Sequence, residues 1–280
     1  GFKAAEPILL LTVNFLLLKT VSKRHLTPFT WIFAISILFL LVYKPSFDFW
    51  IWSGFLDRWN VLFKMSVLRM ISFNLDYKKI HEEKNFSDME KSADFSFKSY
   101  FMYIFYPPLY LSGPILSFTE FYQQSSNLQE KKQKQKFPLV YGLRLLASML
   151  TLEVILHLIH VCAIKSASAW HSSFTPLAFA GIAFFNLKII WLKLLIIWRF
   201  ARFFALCDGI DPPENMIRCM SNNYSTLKFW RSWHRSFNLW ILRYLYIPLG
   251  GRETSNWNIF PIFVFVALWH DINWQLLAWG

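Results

Sequence analysis

The sequence predicts an all-α fold, a multi-pass bundle of transmembrane helices with interfacial or re-entrant amphipathic helices. Of the 280 residues, 55% are apolar and only 16% are charged, whereas an ordinary soluble domain carries about 25% charged residues. The mean hydropathy is positive, at +0.32. The apolar residues fall into runs that are free or nearly free of charge, and about 20 such residues suffice to cross a bilayer as a helix. This composition excludes an intrinsically disordered chain.

Six runs have the character of a full or partial span. In chain order they are residues 7–18, 26–43, 99–119, 137–164, 166–198 and 254–270, and the chain is apolar again over 272–280. We expect the third run to be broken or kinked by Pro107, Pro108 and Pro114, because proline interrupts helical hydrogen bonding.

The connecting segments are of two kinds. Residues 76–98 and 120–136 are polar and predicted to be solvated loops, whereas residues 47–77 and 199–252 mix tryptophans with Lys and Arg. Such mixtures are typical of helices at the level of the lipid headgroups. Two spans separate 120–136 from 199–252, so both lie on one side. Both are rich in Lys and Arg, which predicts that they are cytosolic.

The chain carries 29 Lys and Arg against 17 Asp and Glu, a net charge of +12. In a soluble protein this excess would suggest nucleic-acid binding. In a membrane protein it reflects topology and contact with anionic lipid. We therefore expect the membrane, and no nucleic acid, as the partner.

Ionisable residues inside apolar runs form a first candidate cluster. Glu153, His157 and His160 are spaced by four and three residues, which places them on one face of a helix. A proton path or a metal site is one interpretation, but no complementary ligand set is evident. An interhelical hydrogen-bonding network is favoured, and we expect no bound metal.

His270 is the second candidate. It lies thirteen residues beyond Trp257, or about 20 Å along a helix axis, inside a hydrocarbon core of about 30 Å. A neutral imidazole is a suitable general base near pH 7. Alternatively, His270 and Asp271 anchor a helix end at the far headgroups.

Residues 228–251 are predicted to form one interfacial helix with an aromatic stripe, and Pro248 with Gly250 and Gly251 ends it. The stripe consists of Trp230, Trp233, Phe237, Trp240 and Tyr244. His234 and Asn238 are four residues apart and form a candidate polar site. Arg231 and Arg235 are also four apart and suit a phosphate-bearing substrate.

Five segments together resemble the membrane-bound O-acyltransferase family, in its glycerol-uptake-protein and hedgehog-acyltransferase-like branch. They are FWRSWHRSFNLWILRYLYIPLGG at 229–251, VALWHDINWQLLAWG at 266–280, YPPLYLSGPILSF at 106–118, WRFARFFALCDGIDPPENMIRCM at 198–220 and VLRMISFNLD at 67–76. The resemblance covers most of the chain from about residue 57. It implies one membrane domain over 1–280, and we expect that the most N-terminal and C-terminal parts of the full-length family are missing.

The resemblance also implies a function: transfer of a fatty acyl group from acyl-CoA, with no bound cofactor, to a lipid hydroxyl. His270 occupies the position of the family's near-invariant histidine, and His234 its second polar position. The branch is associated with remodelling of glycosylphosphatidylinositol anchors in the endoplasmic reticulum, which suggests a lyso-anchor as acceptor. We expect the remaining substrate contacts from Trp230, Trp233, Trp269, Asp271, Asn238, Arg231 and Arg235.

Three alternatives remain open from the sequence. A cousin branch N-acylates a secreted protein and carries Asp at the second position, so His234 favours O-acylation. A transporter could use Glu153, His157 and His160 as a proton path. An inactive scaffold would bind acyl-CoA without turnover.

Overall fold

The computed structural model describes residues 5–43, 59–82, 93–126, 137–166, 174–252, 257 and 259–270. Apart from turns and short 3-10 or π segments, the regular structure in these ranges is α-helical, which confirms the all-α class. The helices are α1 (Ala5–Thr20), α2 (Lys23–Tyr43), α3 (Trp59–Glu82), α4 (Phe97–Phe105), α5 (Pro107–Ser112), α6 (Phe118–Ser126), α7 (Leu139–Leu158), α8 (Val161–Ser166), α9 (Pro176–Cys207), α10 (Thr226–Ser232), α11 (Arg235–Ile241) and α12 (Ile259–His270). A π-helical segment, Leu242–Tyr246, continues α11.

Helix α3 forms the centre of the core. It packs against α1, α2, α4, α5 and α6, and Val67, Met70 and Phe73 along it are fully buried. We expected residues 47–77 to form a surface helix at the headgroup level, whereas the segment from Phe63 onward packs inside the protein; its depth in the membrane stays a prediction. The prediction rested on tryptophans mixed with Lys and Arg, but Lys64 and Arg69 are buried. Ser72 and Asn74 are buried too, and both form hydrogen bonds with neighbouring helices.

The same helix corrects the predicted loop at 76–98. Helix α3 continues to Glu82, and Asp76 is only 1% exposed. Its carboxylate accepts bonds from the backbone N–H of Thr119 at 3.1 Å and the hydroxyl of Tyr244 at 3.0 Å. The solvated environment predicted from the charged residues of 76–98 was therefore wrong for Asp76, which is buried.

The proline-rich run at 99–119 is broken as predicted. Helix α4 ends at Phe105, α5 begins at Pro107, and Gly113 follows α5 in an extended conformation. A Cβ atom at Gly113 would lie 2.4 Å from the Cα of Leu109, so the chain can turn this closely only with glycine.

Three helices in the described part of the chain are long and apolar enough to cross a membrane, over Lys23–Leu41, Leu139–Leu158 and Pro176–Cys207. Helices α1 and α12 are apolar but shorter. Helices α7 and α9 pack against each other and leave large apolar side chains outside, with Leu158 75% and Leu177 84% exposed. Such surfaces suit lipid rather than water.

Two predicted helices end earlier than their periodicity suggested. Helix α7 stops at Leu158 because Ile159 is extended, so His160 does not share a helix with Glu153 and His157. The 228–251 segment is not one helix either, because it breaks at Trp233 and His234. The turn at Gly250 and Gly251, both with positive φ, is present as predicted.

Candidate active site

The break between α10 and α11 determines the conformation of His234. Its φ of 46° and ψ of 50° are left-handed, and among the described residues it is the only non-glycine with a positive φ. This conformation costs an L-residue about 1–2 kcal/mol. Surrounding contacts must therefore hold it.

Asn215 supplies two of these contacts. Its backbone carbonyl oxygen accepts a hydrogen bond from the backbone N–H of Arg235 at 3.1 Å, and its side-chain Oδ1 accepts one from the backbone N–H of Ser236 at 2.9 Å. Ser236 Oγ in turn accepts a bond from the N–H of Ile115 at 2.9 Å. The start of α11 is thus fixed to two separate parts of the chain.

Aromatic rings enclose the His234 imidazole. Trp198 of α9 stacks on it with centroids 4.6 Å apart and planes 10° apart. Phe237 stacks at 5.3 Å and Trp269 lies at 6.4 Å. Three helices, α9, α11 and α12, therefore contribute to the surroundings of this histidine.

His270, the last residue of α12, reaches the same aromatic cluster. Its ring lies 6.1 Å from that of Phe237 and 4.8 Å from that of Trp269. Phe237 and Trp269 therefore contact both imidazoles, and the structure brings His234 and His270 together. His270 is exposed whereas Trp269 is buried.

The electrostatics of the two histidines are linked. Burial, and to a smaller extent the nearby charge of protonated His270, lower the pKa of His234 to about 3. His234 is therefore neutral at physiological pH, with one ring nitrogen as a donor and the other as an acceptor. It can orient a hydroxyl or donate to an oxyanion.

Helix α3 holds the end of α12 through reciprocal bonds. Lys64 Nζ donates to the carbonyl oxygen of His270 at 2.7 Å, and Trp269 Nε1 donates to the carbonyl oxygen of Lys64 at 3.1 Å. Lys64 is buried despite its charge. We call this pair of bonds the Lys64 clasp.

The other predicted site residues fall into separate groups. Trp269 and the half-buried Asn238, whose N–H donates to the His234 carbonyl at 3.2 Å, are close to the histidines. Trp233 is half-buried and stacks on Phe229 at 5.4 Å. Asp271 lies outside the described residues.

Arg231 and Arg235 are separated by the helix break. Arg231 is exposed in the last turn of α10, next to Trp230, which is 41% exposed. Arg235 is half-buried as the first residue of α11. The described residues contain no group of three or more His, Cys, Asp or Glu side chains placed to hold a metal ion.

Sequence reasoning missed a buried ionic network beside α11. Arg243 Nη2 lies 3.4 Å from Asp76 Oδ1 and donates to Thr119 Oγ1 at 2.9 Å. Arg243 lies on the segment at 228–251, whereas Asp76 ends the motif at 67–76 and was assigned to the solvated loop at 76–98. An acidic residue at the end of an apolar motif was the available signal.

Comparisons with known proteins show the family to which the chain belongs. The family model described as MBOAT, membrane-bound O-acyltransferase family, matches residues 13–280. The chain is 41% identical to membrane-bound O-acyltransferase gup1 of Schizosaccharomyces pombe over 301 aligned positions, which cover 96% of this chain and 51% of the relative.

Two further relatives have related names. Membrane-bound O-acyltransferase GUP1 of Saccharomyces cerevisiae is 40% identical, over 92% of this chain and 52% of its own length. Protein-cysteine N-palmitoyltransferase HHAT of Mus musculus is 28% identical, over 68% of this chain and 39% of its own length. The chain spans about half the length of its yeast relatives. The match over nearly the whole chain shows that it belongs to the membrane-bound O-acyltransferase family.

Proposed function

We propose that the protein transfers a fatty acyl group from acyl-CoA to a hydroxyl of a lipid acceptor. The observation that carries the proposal is the shared aromatic surroundings of His234 and His270, in a chain of an acyltransferase family. His270 is exposed and can reach a substrate, whereas His234 is held rigidly beside it.

The reaction needs one proton acceptor and one thioester. His270 takes the proton of the acceptor hydroxyl, whose oxygen attacks the thioester carbonyl carbon. The carbon–sulfur bond then breaks, and the CoA thiolate leaves and takes up the proton held by His270. Neutral His234 orients the hydroxyl or donates to the oxyanion, assisted by Asn238. The proposal includes no acyl-enzyme intermediate.

The phosphates of CoA are assigned to the arginines at the helix break. Arg231 is exposed and Arg235 is half-buried, and guanidinium groups match phosphate geometry. Trp230 and Trp233 lie on the same short helix or at its end and would contact the adenine or the start of the acyl chain. Trp269 packs beside both histidines. Asp271 follows His270 in the chain, and we assign it to the same substrate site.

The acceptor assigned here is a lyso-glycosylphosphatidylinositol anchor, in the endoplasmic reticulum membrane. The family resemblance supports this choice, and so does a histidine rather than an aspartate at position 234. Cells lacking the protein should accumulate the lyso-anchor. An unchanged anchor lipid profile would contradict this acceptor.

N-acylation of a protein is the second candidate, favoured by the likeness to a mouse protein-cysteine N-palmitoyltransferase. Microsomes carrying the protein are supplied with radiolabelled palmitoyl-CoA, and label is followed separately into lipid and into protein. We expect alkali-labile label in lipid. Label confined to alkali-stable protein would favour the N-acyl alternative.

A second assay, with the protein in proteoliposomes and the same radiolabelled palmitoyl-CoA, separates an enzyme from a transporter or a scaffold. Proteoliposomes with the protein should incorporate label into lipid without taking up solute, and acyl-CoA should turn over rather than merely bind. Solute uptake without incorporation would contradict the proposal, as would saturable binding without product.

A further inference from the structure

We propose that Asn215 is a positioning residue for His234, a role that rests on the proposed function for its effect on rate. Nothing in the spacing of the histidine motifs points to it, because it lies 19 residues before His234 in the connection after α9. Its burial and its hydrogen bonds indicate the role.

The first step is the conformation that must be maintained. His234 is left-handed and directly precedes α11. Trp233, which precedes it, is extended, and only with both residues in the right-handed helical conformation would α10 and α11 continue as one helix, with the imidazole pointing elsewhere. The energy that favours the break must come from contacts on either side of it.

The second step is that Asn215 contacts the backbone directly after His234. Its two oxygens accept the N–H groups of Arg235 and Ser236 at 3.1 and 2.9 Å. These N–H groups begin a helix and need acceptors from outside it. Asn215 is 1% exposed, so water would compete poorly for them. Loss of the side-chain acceptor would leave a buried N–H unpaired.

The third step is that Asn215 is itself anchored. The preceding residue, Glu214, accepts a bond from Tyr141 of α7 at 2.9 Å and lies 3.3 Å from Arg199 and 3.4 Å from Arg202 of α9. Trp198, which stacks on His234, is the neighbour of Arg199 in the same helix. The connection and the ring that supports His234 are therefore fixed to one rigid helix.

The remaining polar atom of Asn215 shows which variant preserves its role. Among the described residues its Nδ2 has no hydrogen-bond partner, so the contacts to α11 use oxygen atoms alone. Aspartate and serine keep a side-chain acceptor, and both are good partners for the first N–H groups of a helix. Leucine has a similar volume and no acceptor.

The test measures both the rate and the state of His234. Acyl transfer is assayed for Asn215→Leu, Asn215→Asp and Asn215→Ser in microsomes, with Asn222→Leu in the same connection as the matched control. Modification of His234 by diethyl pyrocarbonate is followed by peptide mass spectrometry, with His81, which is exposed near the end of α3, as the internal reference. We expect Asn215→Leu to lower kcat about 10-fold or more with KM nearly unchanged, and to raise the His234 modification rate several-fold. Asp or Ser should restore most of both.

A double variant shows whether the effect passes through His234. In a His234→Ala background, Asn215→Leu should lower kcat by less than about twofold, because neighbours acting as a unit are not additive. A full additional loss would overturn the proposal, as would equal impairment by Leu, Asp and Ser with His234 modified at the parent rate. His270→Ala is the reference for the reaction. If it keeps full transfer, the proposed function fails, whereas the modification rates still test Asn215.

Discussion

The left-handed backbone at His234 limits which residues can replace it. Asparagine tolerates this conformation better than other non-glycine residues, whereas a β-branched residue does not. We expect His234→Asn to fold with its thermal stability nearly unchanged and His234→Val to lose about 1–2 kcal/mol. Thermal unfolding in detergent measures both, and equal stability of the two variants would contradict the assigned backbone.

Burial of His234 makes stability depend on pH. Its pKa falls from an ordinary value of about 6.5 to about 3 in the fold, so the unfolded chain binds a proton that the folded one does not. Its contribution is present above about pH 6.5 and is lost as the pH falls towards 3, by up to about 1.4 kcal/mol per pH unit.

The His234→Asn variant isolates this contribution, because asparagine does not titrate. Between pH 7 and pH 5 its melting temperature should fall less than that of the parent protein. His81→Asn serves as the control, since His81 is exposed near the end of α3. Parallel pH curves for the parent and His234→Asn would show that the imidazole is not buried as described.

The buried pair of Asp76 and Arg243 should contribute strongly to stability at the residue scale. Removal of Arg243 leaves a carboxylate that is 1% exposed without its cation. Breaking a buried pair costs about 3–5 kcal/mol, and the partial exposure of Arg243 favours the lower end for Arg243→Met. Glu82→Gln breaks a surface pair with Lys78 and should cost under about 1 kcal/mol. If Arg243→Met and Glu82→Gln lowered the free energy of unfolding in urea by similar amounts, the difference in burial between the two pairs would be contradicted.

At the scale of the element, helix α12 depends on α3 for the position of its last turn. In Lys64→Met the His270 carbonyl loses a charged donor, worth about 1.5–3 kcal/mol. We expect lower thermal stability and slower acyl transfer. Lys79→Met, at an exposed position of the same helix, is the control. An unchanged rate in Lys64→Met would mean that the clasp does not position His270.

Element boundaries show where sequence patterns succeed and fail. Prolines and glycines broke the 99–119 run as expected, because their effect is local. The aromatic periodicity at 228–251 predicted a single helix, and it was wrong because distant residues, Asn215 and Trp198, stabilise the break at His234. The surface exposure predicted for α3 was wrong for the same reason, since its buried polar residues bond to partners far away in the sequence. Long-range pairing of this kind leaves no periodic signal in one chain.

At the scale of the whole molecule, the apolar composition predicted the membrane class correctly, and the two histidine motifs lie beside each other in the structure.

The orientation of the loops in the membrane remains a prediction. In a cysteine-free background, Cys at Gln124 or Ser225 should react with a membrane-impermeant maleimide in sealed microsomes, since both positions are predicted to be cytosolic. One span separates Phe174 from each of these two positions, α7 on one side and α9 on the other. Cys at Phe174 should therefore react only after permeabilisation. The reverse pattern would contradict the orientation.

The central claim is that His270 acts on the substrate beside His234. The most direct measurement is the rate of acyl transfer by His270→Ala in microsomes at saturating palmitoyl-CoA, with protein amounts equalised and His157→Ala as the matched control. Loss of a general base typically costs about 10²–10⁴-fold, and we predict a loss of that size for His270→Ala and none for His157→Ala. Full transfer by a folded His270→Ala protein would contradict the account.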